Sequence, residues 1–188
     1  SRVVGIDAGT VSLDVCGLVE GRLSIDLTWP TQEAVADPDG FIAELRRTGE
    51  PDLVVAPSGY GLPLRPARGL TEEDLRLAFL ARPDEKGGIG GLRRLVRHLA
   101  DSDLSVVLTP GVVHLDTVPE HRKLNRVDMG TADKVCAAAL AVEDQRERTG
   151  RSLETVSLIL LELGGAFTAA VAVDRGQIVD GLGGTSGP

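Results

Sequence analysis

Arg2 to Asp7 is a short apolar run closed by Asp-Ala-Gly-Thr, the pattern of a buried strand entering a tight turn. Val11 to Val19 resumes with β-branched and apolar residues, Glu20-Gly21 breaks it, and Arg22 to Thr28 predicts a third strand. Strands joined this tightly should pair antiparallel, as a three-stranded meander. The rhythm then lengthens. Pro38 to Thr48 puts Phe41, Ile42 and Leu45 at helical spacing and stops at Gly49. Leu53 to Ala56 reads as a strand running into Pro57-Ser58-Gly59-Tyr60-Gly61. Thr71 to Ala81 reads as a helix opening on a capping box, Thr71 with Asp74. A flexible stretch from Gly87 to Gly91 precedes a helix over Leu92 to Ala100 and a strand over Leu104 to Thr109. A long Ala-rich helix covers Thr131 to Arg148.

The opening pattern then returns. A shift of 155 residues carries Asp7 onto Glu162 and Gly9 onto Gly164 without a gap. Val3-Val4-Gly5-Ile6 falls on Leu158-Ile159-Leu160-Leu161, the turn Glu20-Gly21 on Arg175-Gly176, and Leu23 on Ile178. Apolar matches alone mean little. An acid, a turn glycine and a hairpin glycine that all keep register point to a duplication. About 130 residues of helices and strands follow the first meander, and eight follow the second. The second copy therefore looks incomplete, with an unpaired edge and an uncovered face. The expected organisation is one lobe over 1–150, including the helix 131–148, and the first strands of another over 151–188. An exposed edge is ordinarily paired or covered, so the chain is compatible with a homodimer.

Composition narrows the function classes. The chain has 188 residues, 42% hydrophobic and 26% charged, long enough for a full core. Its net charge of −8 and 3% aromatic content, with no basic run, argue against nucleic acid as a partner. The longest apolar stretch, Val156 to Leu163, is interrupted by Ser157 and Glu162 and is too short to span a membrane. Cys16 and Cys136 lack metal-ligand spacing and are expected as buried thiols in a reducing compartment, so a cytoplasmic location is the default.

An acid-Xaa-Gly-Thr turn after a buried strand offers useful chemistry. Gly9 lets backbone N–H groups approach an anion, the Thr10 hydroxyl adds a donor, and Asp7 can hold a hydrated Mg²⁺. One such turn is equally an ordinary hairpin. A second, Glu162-Leu163-Gly164-Gly165, in register with the first, favours two hairpins gripping a phosphate chain. On the acceptor side, Ser58 lies in a strand-end loop, and Arg65 and Arg68 follow it as carboxylate or phosphate ligands. His114, Asp116, His121, Arg122, Asn125, Arg126 and Asp128 form a polar segment, with Arg126 a further substrate-binding candidate. His114, Asp116 and His121 are a conceivable metal set, though irregularly spaced. Asp128 or Asp133 is a candidate base for an acceptor hydroxyl or a water, whereas a carboxylate acceptor would need none. His98 reads as structural, Ala137 to Ala139 as a close helix–sheet contact, and Arg46-Arg47 and Arg93-Arg94 as solvated faces.

Val4-Gly5-Ile6-Asp7-Ala8-Gly9-Thr10 resembles the first phosphate motif of the superfamily of acetate and sugar kinases, heat-shock chaperones and actin. Leu160-Leu161-Glu162-Leu163-Gly164-Gly165 resembles its second, with Glu162 where Asp is commoner. The segment Thr131 to Ala141 resembles the first connecting helix. More narrowly, Arg126 to Lys134 and the closing Gly183-Gly184-Thr185-Ser186-Gly187 are similar to the predicted butyrate kinases, which adds Gly184 and Thr185 to the nucleotide-binding candidates. The resemblance implies a mixed α/β, ribonuclease H-like lobe, with ATP and Mg²⁺ between two halves and hinge closure over a small-molecule substrate. On this reading Asp7 positions Mg²⁺ and the two glycine turns hold the phosphates. The superfamily's adenosine motif and second connecting helix are not found, so the isolated chain is expected to be nearly inactive. The alternatives are a non-catalytic interaction protein that keeps only the core, or an ATPase switch with water as acceptor.

Overall fold

A computed structural model of the chain describes residues 1–9, 11–81, 89–164 and 167–185. The chain divides into two units. The first comprises Ser1–Ser58 and Leu64–Thr109, the second Gly59–Pro63 and Pro110–Pro188.

In the first unit the meander is present: β1 (Arg2–Ala8), β2 (Ser12–Val19) and β3 (Arg22–Pro30), antiparallel throughout. Two short helices follow, α1 (Thr31–Ala36) and α2 (Pro38–Arg47), then β4 (Leu53–Ala56) and a two-residue β5 (Arg65–Pro66). α3 (Glu72–Phe79), α4 (Ile89–Asp101) and β6 (Val106–Leu108) complete it. The sheet order is β3-β2-β1-β4-β6-β5, with β1, β4 and β6 parallel to their neighbours in that central run. Alternation buries Val4, Ile6, Leu13 and Val15, and the helices bury Phe41, Leu45, Leu75, Leu95 and Leu99. Each such side chain contributes about 1.5–3 kcal/mol relative to exposure. Trp29 meets Phe41 edge-on, with ring centroids 5.5 Å apart. α3 opens on the predicted capping box between Thr71 and Asp74. Of the stretch Gly87 to Gly91 expected to be flexible, Gly87 and Gly88 lie outside the described residues, and residues 89–91 instead form the start of α4.

The second unit holds a 3₁₀ turn (Val112–His114), α5 (Glu120–Lys123), α6 (Ala132–Thr149) and a second 3₁₀ turn (Leu153–Thr155). An antiparallel sheet in the order β7 (Leu158–Leu163), β8 (Thr168–Asp174), β9 (Gln177–Leu182) follows. Its core is Val112, Val118, Met129, Ala138, Val142, Val156, Val171 and Val173. Of the Ala137 to Ala139 run only Ala138 is buried; Ala139 faces outward. α6 packs on β7 and β8, so the boundary expected at residue 150 falls inside this unit.

The duplication is visible in backbone detail. Glu20 and Gly21 turn with φ of 50° and 75°, Arg175 and Gly176 with 51° and 76°. The β2–β3 ladder slips between Gly17 and Leu18, and the β8–β9 ladder slips between the equivalent Ala172 and Val173. A bulge and a primed turn retained at the same offsets are specific features rather than generic strand character.

Two expectations are overturned. Cys16 and Cys136 are exposed, not buried: Cys16 sits at an outward position in the alternation of β2, between the buried Val15 and Gly17. Arg93 is buried rather than solvated, because it pairs with Glu72, which also takes Arg97. Among the described residues no helix is long and apolar enough to cross a membrane.

Candidate functional site

The turn between β1 and β2 is built on Gly9. Its N–H donates to the Ser12 carbonyl at 2.9 Å, and its own carbonyl accepts from the Thr31 hydroxyl at 2.9 Å. The Thr31 N–H in turn donates to the Val11 carbonyl at 3.0 Å, so the first residue of α1 fixes both arms of the turn. A Cβ at position 9 would stand 2.9 Å from the Ser12 oxygen, a distance real side chains do not tolerate. Asp7 is exposed at the end of β1, opposite Asp14 in register. Thr10 lies outside the described residues.

The equivalent turn joins β7 to β8 and has the same closure. The Gly164 N–H donates to the Phe167 carbonyl at 2.9 Å, and a Cβ there would lie 2.7 Å from that oxygen. Glu162 stands opposite Ala169, as Asp7 does opposite Asp14. Gly165 lies outside the described residues. Here a cation enters that sequence reasoning did not single out. The Lys134 ammonium is 2.5 Å from Glu162 Oε1 and 2.5 Å from Asp133 Oδ2. Asp133 also accepts from the Thr131 hydroxyl at the N-terminus of α6. Burial opposes the charge on Lys134, but the two carboxylates outweigh it and hold its pKa above the ordinary lysine value.

Asp128 anchors a second group in the same unit. It is 4% exposed, and both its oxygens are engaged. Oδ1 accepts from the Gly130 N–H at 2.9 Å; Oδ2 accepts from the Thr185 N–H at 3.2 Å and its hydroxyl at 2.8 Å. The carboxylate fills the space a side chain at Gly183 would need, and Phe167 does the same at Gly184. Met129 and Gly130 thread against β9, where a Cβ on Gly181 would overlap the Met129 carbonyl. Residues singled out separately along the sequence thus come together in three groups: Asp128 with Thr185, Asp133 with Glu162 through Lys134, and Gly164 with Gly184 against Phe167.

The acceptor-side candidates are dispersed. Ser58 is buried and committed: its hydroxyl donates to the Ala56 carbonyl at 2.9 Å and accepts from the Thr109 N–H at 2.9 Å, tying β4 to β6. Arg65 pairs with Asp74 at 2.9 Å, while Arg68 and Arg126 are exposed. His98 pairs with Asp39 at 3.1 Å beside an open hollow of about 350 Å³ in the first unit.

His114 Nδ1 accepts from the Gly111 N–H at 3.2 Å. Burial lowers its pKa below the ordinary value of 6.5, and the charge of Lys123 acts in the same direction. Between the lowered folded value and 6.5 the unfolded chain binds more protons, so stability must fall as pH drops through that window. We expect His114→Gln to flatten the decline in stability below pH 6.5, measured by urea unfolding at stepped pH.

Among the described residues no three His, Cys, Asp or Glu side chains converge as a metal site, so the His114, Asp116 and His121 set does not form. Mg²⁺ does not require such a cage: it is commonly held by one or two carboxylates together with substrate phosphates and water. The exposed Asp7 carboxylate beside a backbone-only turn fits that donor pattern.

The sequence profile of the family described as protein of unknown function (DUF1464) matches residues 5–188. No curated protein matches the chain. Among solved structures, the acetate kinase from Entamoeba histolytica is similar over 99% of this chain and 56% of its own, with 11% identity and a TM-score of 0.57. The ROK hexokinase from Thermus thermophilus matches at 15% identity and TM-score 0.45, covering 100% of this chain and 50% of its own. A Ppx/GppA family member from Aquifex aeolicus matches at 12% identity and TM-score 0.42, covering 96% and 50%. The chain therefore spans about half the length of each. The likeness to the acetate kinase establishes the fold: a mixed α/β unit of the ribonuclease H-like, actin-like ATPase class.

Proposed function

The chain belongs to the DUF1464 family, and from that premise we propose that it serves an ATP- and Mg²⁺-dependent phosphotransferase acting on a small molecule, a short-chain carboxylate of the butyrate type foremost. The observation that carries this reading is the duplicated turn. Gly9 and Gly164 close on the residue three positions ahead with the same 2.9 Å bond, and neither tolerates a Cβ. Backbone turns of this kind present N–H groups to phosphate with no side chain in the way.

Gly9 and Gly164, whose own N–H groups close the turns, leave room for phosphate oxygens that Thr10 and Gly165 bind; Glu162 neighbours the second turn, and Gly184 and Thr185 extend it. Asp7 holds Mg²⁺ through water. Asp133 is the better base candidate, since its side chain is exposed while Asp128 is buried. A carboxylate acceptor needs charge neutralisation rather than a base, which Arg68 and Arg126 can supply. When bound, ATP supplies the phosphoryl group and Mg²⁺ offsets its charge.

A second reading, a non-catalytic interaction protein, has one observation in its favour. Ile159 and Leu161 are 69% and 59% exposed, while their counterparts Val4 and Ile6 are 0% and 7% exposed. An apolar strand face left open this way favours association, including a homodimer.

The test is ATP titration calorimetry with and without Mg²⁺, followed by ADP release with butyrate, with acetate and with no acceptor. Mg²⁺-dependent binding at roughly micromolar strength, with carboxylate-dependent ADP release, is expected. Release that ignores the acceptor identifies an ATPase switch. Absence of binding, with mass rising on concentration, identifies the interaction protein.

A further inference from the structure

Lys134 lies in the first turn of α6, one residue past Asp133, and reaches across to the end of β7. Its ammonium joins two carboxylates drawn from separate elements, and only 18% of its side chain is exposed. Glu162 is two residues before Gly164, at the end of β7 that leads into the second turn. Two of the three N–H donors of Lys134 are accounted for by Asp133 and Glu162.

We propose that Lys134 is the positioning residue of the second phosphate turn, holding Glu162 and Asp133 on its ammonium so that the approach to Gly164 accepts an anion. The proposal rests on the nucleotide reading above. Without the lysine, two carboxylates would face an incoming phosphate, and like charges at such range repel strongly in a partly buried site. With it, the local charge falls from −2 to −1 and both carboxylates are drawn onto one point. Glu162 remains 38% exposed, so solvent screens part of the effect. The consequence is an affinity change, not an all-or-none loss.

The experiment is calorimetric titration with inorganic pyrophosphate, which needs no metal, and with a non-hydrolysable ATP analogue plus Mg²⁺, in low and moderate salt. The proteins are the wild-type chain, Lys134→Met, Lys134→Arg, Glu162→Gln and the Lys134→Met/Glu162→Gln pair, each checked for folding by its unfolding midpoint. Lys134→Met is expected to weaken pyrophosphate binding about tenfold at low salt, and less at moderate salt. Lys134→Arg should retain most of the affinity. The double variant should recover most of what Lys134→Met loses, because a neutral glutamine needs no counter-charge. Glu162→Gln alone should bind pyrophosphate at least as tightly as wild type, which keeps the test decisive even if Lys134→Met fails to fold. A merely structural lysine would shift the unfolding midpoint and leave affinity unchanged in the folded protein. Unchanged affinity in Lys134→Met, no recovery in the double variant, or weaker binding in Glu162→Gln would each overturn the proposal while leaving the nucleotide reading standing. A wild-type chain that binds neither probe overturns both.

Discussion

Asp128→Ala is expected to destabilise the second unit by about 3 kcal/mol, seen as a lower denaturant midpoint in equilibrium unfolding. The side chain is almost fully enclosed, and its two oxygens take hydrogen bonds from Gly130 and from both donors of Thr185. Alanine leaves the Gly130 N–H and both Thr185 donors without these acceptors, and it opens the space that the carboxylate fills against Gly183. Asp128→Asn separates shape from chemistry. Its amide carbonyl can serve Gly130 or Thr185 but not both, and the NH₂ group then faces an N–H. The Thr185 hydroxyl can rotate to accept; the backbone N–H cannot. Asparagine should therefore lose about 1–2 kcal/mol, between wild type and alanine. Both variants should also weaken nucleotide binding, since Gly184 and Thr185 hang from this carboxylate. A catalytic base would behave differently: activity would vanish while the midpoint stayed put.

The pairing of Asp128 with Thr185 was not legible in the sequence, although each residue was singled out. Fifty-seven positions separate them, and nothing in a periodicity or a local motif connects an acid in a loop with a threonine beyond a strand. The same holds for Lys134, whose significance lies in reaching Glu162 across 28 positions. Features set by short-range rules were legible. The three strands of each meander follow from alternation and Gly turns, and the capping box of α3 from Thr71 and Asp74. The duplication was legible for a related reason, because paired acids and glycines at fixed offsets mark backbone conformations rather than mere hydrophobicity. α1 was missed: at six residues it is too short to show a helical period, and its position is fixed by Thr31 bonding back to Val11 and Gly9. Ser58 sits in a strand-end loop, the usual place for sites, but its two backbone partners lie on separate strand ends that sequence does not connect. The structure instead spends its hydroxyl on joining two strand ends.

Gly9→Ala and Gly164→Ala are each expected to lower ATP affinity at least about tenfold, and together at least about a hundredfold, if losses at separate sites add. In both turns the added methyl would meet a backbone carbonyl, Ser12 at 2.9 Å and Phe167 at 2.7 Å. That carbonyl is also the acceptor which closes the turn through the glycine's own N–H. Backbone cannot swing aside as the end of a long side chain can, so the turn must open and its closing hydrogen bond is lost. Neither glycine needs a left-handed conformation, so the cost is one of space rather than of φ. Gly21→Ala supplies the control. It belongs to the same meander, has open space around it and a φ of +75°. Alanine there should cost about 1 kcal/mol of stability through backbone strain and leave ATP affinity unchanged. If both turn variants bind ATP as wild type does, neither hairpin holds phosphate. If one alone fails, phosphate is held by that unit, and the other copy has kept the turn without the task.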